Sequence, residues 1–219
     1  MKKRLIVFGD MHLDWRATKV ILDEARTLGI DTALTLGDED HFVGGSERAY
    51  DALFGALRDY RDEKPERELI CCVGDDTGGV RYIIDNYVGV DPSSRELIGS
   101  PVFRRGNIIA AHDGGEILKK YGRTISNPRR RKPLVIFHGH SHSMGVLPEY
   151  RWLPENEIVH TIPEGERTVQ LEEGKVYWVN PGGWAYSDWG EDRKANFAIY
   201  DPENQIVVLR TKSFLGKEI

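Results

Sequence analysis

Long hydrophobic runs are missing from this 219-residue sequence. No segment approaches the roughly 18 consecutive apolar residues that a membrane-spanning helix needs. The basic start, Met1 to Arg4, is followed by a short apolar run that ends at Gly9 and Asp10. That run is too short for the hydrophobic part of a signal peptide. We therefore expect a soluble, cytoplasmic protein that has no membrane partner.

Cysteine is scarce, and its placement argues against a disulfide. The two cysteines, Cys71 and Cys72, are adjacent and lie within an apolar run. Neighbouring residues of a strand point to opposite faces of the sheet, so these two sulfur atoms cannot easily meet. The sequence predicts two reduced thiols in a buried strand, and not a redox or metal site.

An excess of positive charge is also lacking. Lys and Arg number 30 against 35 Asp and Glu, which gives a net charge of −5. This balance does not favour nucleic acid as the main partner. The basic residues Arg123 and 129–132 could receive a phosphate or a nucleic acid, but a solvated charged loop explains them more simply.

The residues that are present predict a single α/β domain over positions 1–219, because 40% of the chain is hydrophobic. Apolar runs alternate with helical spacings early in the chain and with further strand-like runs later. This order predicts a mixed sheet, or two packed sheets, with helices outside. Strands are predicted at 5–8, 32–36, 69–73, 102–103, 107–111, 134–137, 176–179, 197–200 and 206–209. Helices are predicted at 17–28, 46–60, 79–87 and 116–121, and an excursion at the edge of the domain is predicted at about 148–174.

Polar residues follow six of the predicted strands. In α/β sheets, ligand sites lie at the carboxyl ends of the strands. The side chains gathered there are Asp10, His12, Asp38, Asp75, His112, His140 and His142, together with the turn at Asn180. Imidazoles and carboxylates are ligands that suit Mn, Fe, Zn or Ni. Seven are too many for one catalytic ion but suit two ions that share a bridging carboxylate.

The spacing of these residues has a local logic. Asp10 and His12 are two positions apart where the chain leaves a strand, so both side chains can reach one ion. His140 and His142 repeat this arrangement, and Gly139 lets the backbone approach closely. Each motif alone is weak, and the prediction depends on their order and on their placement at strand ends.

The ordered motifs resemble those of the calcineurin-like metallophosphoesterase superfamily. Its motifs D-x-H, G-D, G-N-H, a later H, and G-H-x-H are similar to Asp10-Met-His12, Gly37-Asp38, Gly74-Asp75-Asp76, Ala111-His112 and Gly139-His140-Ser-His142. Asn180-Pro-Gly-Gly183 resembles the N-P-G-S turn of the family. The resemblance covers residues 4 to about 183, with a gap over the excursion.

The resemblance implies a four-layer αββα sandwich of two mixed sheets flanked by helices. It implies that Asp10, His12 and His142 hold one divalent ion, that Asp75, His112 and His140 hold another, and that Asp38 bridges both. Mn is the first expectation for the metals, with Fe, Ni, Zn or Co as alternatives. A hydroxide shared by the ions would attack phosphorus in line, on a phosphate-ester small molecule or a nucleotide.

One motif departs from the family pattern. Asp75 and Asp76 stand where the family usually has Asn and His. Asp75 can still ligate a metal through oxygen, but Asp76 can act as a general acid only if its pKa is raised. His41 is an alternative proton donor, and a leaving group that is already good would need neither.

Three interpretations stay open at this point. A metal-dependent phosphoesterase comes first, with a phosphodiester preferred slightly over a monoester. A scaffold that keeps the fold without hydrolysis is the rival, and the Asp75-Asp76 replacement favours it. A nuclease ranks last, because no large basic face or capping domain is visible.

The aromatic residues near the Asn180 turn could stack on a nucleoside base, although packing under a loop is the simpler interpretation; they are Trp178, Trp184, Tyr186 and Trp189. The sequence is compatible with a homo-oligomer.

Overall fold

The computed structural model describes residues 3–12, 14–37, 47–72, 102–126, 131–140, 144–147, 165–183 and 192–215. Eleven strands and three helices lie within these ranges. The strands are β1 (Leu5–Phe8), β2 (Thr32–Thr35), β3 (Glu68–Cys71), β4 (Val102–Arg105), β5 (Ile108–Ala111), β6 (Leu134–His138), β7 (Gly145–Leu147), β8 (Gly165–Gln170), β9 (Val176–Asn180), β10 (Asp192–Asp201) and β11 (Ile206–Leu215). The helices are α1 (Trp15–Thr27), α2 (Glu47–Asp62) and α3 (Gly114–Ile125).

The described strands form two mixed sheets. The first has six strands in the order β3-β2-β1-β10-β11-β8, in which β1, β2 and β3 are parallel. The second has five strands in the order β4-β5-β6-β9-β7, in which β5, β6 and β9 are parallel. Parallel neighbours have their carboxyl ends at the same edge of a sheet, where ligand sites form. This edge carries the carboxyl end of β1 in the first sheet and the carboxyl ends of β5 and β6 in the second.

Three apolar clusters of described residues separate the layers. Val7 and Leu34 of the first sheet pack with Val135 and Phe137 of the second, which places the largest cluster between the sheets. A second cluster joins the first sheet to α1 and α2, and a third joins the second sheet to α3. Alternation along each strand supplies one face to each cluster. The predicted αββα sandwich is confirmed.

The two sheets are also tied together at the edge where β1, β3 and β5 begin. The guanidinium of Arg105 at the end of β4 pairs with the carboxylate of Glu68 at the start of β3, with Nη1 2.6 Å from Oε2. The Asn107 amide donates to the hydroxyl of Tyr200, a buried residue of β10, at 2.9 Å. These contacts fix one end of the sandwich, and the carboxyl ends of β1, β5 and β6 lie at the other.

Several sequence predictions need correction. Residues 165–170, within the predicted excursion, form strand β8 at the edge of the first sheet, and β7 was not predicted. Their residues are mostly exposed or half-buried, so the apolar alternation that indicates a strand is weak. Arg123 lies in the last turn of α3, and not in a loop. The predicted helix at 79–87 lies outside the described residues.

Both cysteines are free thiols; Cys72 is buried as predicted, whereas Cys71 is half-buried. No helix among the described residues is both long and apolar enough to cross a bilayer.

Candidate metal centre

Three of the predicted ligands meet where strands of the two sheets end. Asp10 follows β1 of the first sheet, whereas His112 and His140 follow β5 and β6 of the second. The Nε2 atom of His112 lies 3.1 Å from Nδ1 of His140, and its Nδ1 lies 3.5 Å from Oδ1 of Asp10. The two imidazole rings are edge to face, with centroids 5.1 Å apart. The candidate centre is therefore assembled from both sheets.

The Asp10 carboxylate is buried completely, and His112 is only 2% exposed. A buried carboxylate is costly unless hydrogen bonds compensate for the lost water. The backbone N–H of His140 donates to both Asp10 oxygens, at 3.1 Å each. This contact spans 130 positions of the sequence and holds the carboxylate against the Gly139–His140 peptide.

The backbone at these positions is strained. Asp10, His12 and His140 have φ values of 55°, 45° and 68°, in the left-handed region that residues with a side chain rarely adopt. Among the described residues, only Gln205 of the other non-glycine residues shares this conformation. Strain of this kind persists where the surrounding structure enforces it, and it concentrates at functional sites. Three of the predicted ligands thus stand on backbone that is held in an unfavourable conformation.

Glycines make the close approach of the two sheets feasible. A Cβ atom on Gly139 would lie 2.6 Å from Oδ2 of Asp10, a distance that real Cβ atoms do not show. Gly37, with φ 100°, accepts the backbone N–H of Asp10 at 2.9 Å. A side chain at position 139 would displace the carboxylate, so this position requires glycine for steric reasons.

The turn after β9 reaches the centre through Asn180. Its Oδ1 accepts the N–H of Gly182 at 2.8 Å, and its Nδ2 donates to the carbonyl of Gly139 at 3.3 Å. Asn180 is 4% exposed, so the contact is buried. The sequence predicted the turn from Gly182 and Gly183, but it did not predict that the side chain of Asn180 holds the peptide next to Asp10.

His138 and Trp178 contribute to packing. His138 is buried, and this burial lowers the pKa of its imidazole to about 4, so the ring is neutral near pH 7. It packs against Trp178, with ring centroids 5.9 Å apart. Trp178 is 3% exposed and belongs to the cluster under α3, so it is a core residue and does not offer a stacking surface. The other three aromatic residues of that group lie outside the described residues.

The described donors suit a transition metal but do not complete a site. In the part of the chain that the structure describes, no three His, Cys, Asp or Glu side chains are arranged to hold a metal ion. The 3.1 Å between the His112 and His140 nitrogens nevertheless fits two ligands of one ion. Nitrogens bound at about 2.1 Å, with angles of about 90° to 109° at the metal, lie roughly 3.0–3.4 Å apart. The remaining candidates, Asp38, His41, Asp75, Asp76 and His142, lie outside the described residues, and His12, two positions after Asp10, is half-buried.

Comparison with solved structures identifies the architecture. No protein-family model matches the chain, and no curated protein matches its sequence. A metallophosphoesterase from Sphaerobacter thermophilus superposes with a TM-score of 0.54 and 15% identity, over 96% of this chain and 88% of that one. A novel archaeal phosphodiesterase superposes with a TM-score of 0.53 and 13% identity, over 97% and 99%. A dimetal phosphatase from Danio rerio gives 0.54 and 8%, over 98% and 99%. Identities this low establish the shared fold alone, and the chain therefore has the two-sheet αββα fold that these metallophosphoesterase structures share.

Proposed function

We propose that this chain is a metal-dependent phosphoesterase, with a phosphodiester preferred over a phosphomonoester. The observation that carries the proposal is the meeting of Asp10, His112 and His140 at the strand ends of two sheets. Two of these three residues stand on left-handed backbone, and two are almost completely buried. A surface carboxylate–histidine cluster that had no ligand to hold would need neither the strain nor the desolvation.

The proposed ligands divide into two sets. Asp10, His12 and His142 would hold one divalent ion, Asp75, His112 and His140 would hold the other, and Asp38 would bridge them. Bound divalent ions supply a nucleophile at neutral pH by lowering the pKa of water, and they neutralise charge on the transferring phosphoryl group. Manganese is the proposed metal, although Fe, Ni, Zn and Co suit the same donors.

The residues of the chain fix the geometry of this centre. The His140 N–H restrains both oxygens of Asp10, which limits the orientations that the carboxylate can adopt. Asp10 in turn faces Nδ1 of His112, and a carboxylate in that position favours a proton on Nδ1. His112 would then offer Nε2 as a ligand, the nitrogen that faces His140.

Protonation of the leaving group is assigned to Asp76, with His41 as the alternative donor. A carboxyl group at position 76 serves as an acid only if its pKa is raised toward neutrality. An ester whose leaving group has a low pKa needs no proton. The proposal therefore expects aryl phosphodiesters to be hydrolysed even where alkyl esters are slow.

The decisive assay compares two aryl esters. With Mn²⁺ added, the protein should hydrolyse bis-p-nitrophenyl phosphate faster than p-nitrophenyl phosphate. His140→Ala should abolish the activity, whereas His160→Ala, a histidine outside the proposed set, should retain it. If Mn, Ni, Co and Zn all fail to support turnover, the proposal is wrong.

A scaffold is the second candidate, and the replacement of the family's Asn-His by Asp75-Asp76 favours it. An additional carboxylate would tighten metal binding while it repels an anionic ester. The scaffold predicts stoichiometric binding of Mn²⁺ without hydrolysis of either ester. Calorimetry and the assay on the same sample therefore separate the two functions.

A further inference from the structure

Asn196 is a buried polar residue in an otherwise apolar stretch of β10. It is 2% exposed, and alternation with Ala198 and Tyr200 directs it toward the second sheet. Its Nδ2 donates to the carbonyl of Gly183 at 2.9 Å. Its Oδ1 accepts the hydroxyl of Thr211, which lies directly opposite on β11, also at 2.9 Å. The sequence signal that could have identified it is an asparagine directly before the apolar run at 197–200.

The orientation of the Asn196 amide is determined by its partners. The carbonyl of Gly183 can only accept a hydrogen bond, so the amide nitrogen must face it. The amide oxygen then faces Thr211, whose hydroxyl must donate. The carbonyl of Gly183 thus fixes which end of the Asn196 amide points at the turn, and the hydroxyl of Thr211 holds the other end in place.

The turn transmits this constraint to the metal centre. Gly182 packs so tightly that an added Cβ atom would lie 3.3 Å from Cβ of Asn196. The N–H of Gly182 holds Asn180, and Asn180 donates to the carbonyl of Gly139. That carbonyl and the N–H of His140 belong to one peptide group, and the N–H donates to Asp10. One peptide is therefore gripped by Asn180 on one side and by Asp10 on the other.

We propose that Asn196, held in place by Thr211, is a positioning residue of the metal centre that acts on Asp10 through the Asn180–Gly183 turn and the Gly139–His140 peptide. The hydrogen-bonded path runs from Thr211 to Asn196 and on to Gly183, and then from Asn180 to the peptide that binds Asp10. The consequence for metal binding rests on the proposed function, because it requires Asp10 to be a ligand. The effect on the Gly139–His140 peptide is independent of the proposed function.

The test uses two substitutions at Thr211 and one control. Thr211→Val removes the donor but keeps the shape, and Thr211→Ser keeps the donor. Thr18→Val is the matched control, because Thr18 is also fully buried and its hydroxyl makes no hydrogen bond to a described residue. Asn196→Ala removes both hydrogen bonds and serves as the stronger second variant.

Amide hydrogen exchange of the metal-free protein is the first measurement. In Thr211→Val, exchange at Gly182 and His140 should accelerate about tenfold relative to a β10 amide such as Phe197, because a buried hydrogen bond is lost along one path only. Thr211→Ser and Thr18→Val should leave this ratio at the wild-type value. An unchanged ratio in Thr211→Val and Asn196→Ala, or equal acceleration at all three amides, would overturn the positioning role.

Calorimetric titration with Mn²⁺ is the second measurement. The dissociation constant should rise about tenfold or more in Thr211→Val and recover in Thr211→Ser, since supporting contacts of ligands are worth factors of this size. Wild-type affinity in Thr211→Val would refute the link to the metal. If the wild type itself does not bind Mn²⁺, the proposed function and the link to the metal both fail, while hydrogen exchange still decides whether Asn196 positions the peptide.

Discussion

The backbone N–H of His140 donates to both carboxylate oxygens of Asp10, at 3.1 Å each. The two residues are 130 positions apart and follow strands of different sheets. Their contact joins the sheets at the edge where three of the proposed ligands, Asp10, His112 and His140, lie together. At the opposite edge, Arg105 and Glu68 join the same sheets by an ion pair. The proposed metal centre therefore lies at one of the places where the two sheets of the sandwich are joined.

Substitution of Gly139 tests the steric limit at this contact. In Gly139→Ala the new Cβ would lie 2.6 Å from Oδ2 of Asp10, so the carboxylate or the peptide must move. We expect Mn²⁺ affinity to fall by at least about tenfold, measured by calorimetry. Gly122→Ala is the control, because its Cβ would meet no atom within 4 Å. It replaces a helical glycine and should stabilise the protein by about 0.5–1 kcal/mol in urea. Equal affinities in the two variants would contradict the steric argument.

Reversal of the unusual residue at position 75 tests its assignment as a ligand. Asp75→Asn restores the amide that the family usually has there, and an amide oxygen can still ligate a metal. We expect the variant to retain metal and phosphodiesterase activity, and to gain activity on the dianionic monoester because one negative charge is removed. Steady-state rates on both nitrophenyl esters check this. Loss of both metals in Asp75→Asn would show that position 75 is more than an ordinary ligand.

Substitution of Asp14 tests how much its side chain stabilises the N-terminus of α1, the helix that follows the proposed metal centre in the chain. Oδ1 of Asp14 accepts the N–H groups of Arg16 and Ala17 at 3.1 and 3.2 Å, four residues after Asp10. Its Oδ2 accepts a hydrogen bond from Nη1 of Arg193 at 3.1 Å. Asp14→Ala should lower the free energy of unfolding in urea by about 1–2 kcal/mol, because the capping acceptor is lost. Asp14→Asn retains that acceptor and should recover most of the stability. A loss in Asp14→Asn as large as that in Asp14→Ala would assign the effect to the Arg193 pair.

Tyr60 should make the stability of the folded protein fall at alkaline pH. Its ring is fully buried, its hydroxyl donates to the carbonyl of Ile30 at 2.6 Å, and burial raises its pKa from 10.0 to about 12. The folded state binds this proton more tightly than the unfolded state does. Its contribution to stability is therefore complete below pH 10 and is lost as the pH rises through about 12.

Tyr60→Phe separates the two parts of this effect. The variant should lose about 1 kcal/mol at neutral pH, since the carbonyl of Ile30 loses its donor. The difference from wild type should then shrink between pH 10 and 12, where only the wild type carries the titrating group. Urea unfolding at pH 7, 10 and 11 measures both. A difference that stays constant over this range would show that Tyr60 does not titrate with a raised pKa.

Most of the fold could be predicted because its elements have strong local patterns. The run from Leu5 to Phe8 is apolar throughout, and all four residues are buried in β1. Leu53, Phe54 and Leu57 recur at a helical spacing and are buried on one face of α2. Strand β8 was missed because Glu166, Arg167 and Thr168 are exposed at an edge, where pairing with β11 and not burial makes them a strand. A pattern of apolar residues along the sequence does not reveal a strand that is defined only by hydrogen bonds to a neighbouring strand.

The sequence by itself determined which residues are available to the centre and in what order they occur. An apolar run stopped by Asp10, and others stopped by His112 or by Gly139 and His140, already indicated strand ends that carry candidate ligands. Ligand type follows from side-chain chemistry, which is written in the sequence.

Only the tertiary structure decided how these groups are held. The left-handed backbone of Asp10 and His140 is unfavourable locally and persists because the packed sheets enforce it. Asn180 and Asp10 both form hydrogen bonds with the Gly139–His140 peptide, and these bonds span 41 and 130 positions of the sequence. Local preferences act over a few residues, whereas these contacts exist only after two sheets have packed, so no pattern along the chain records them.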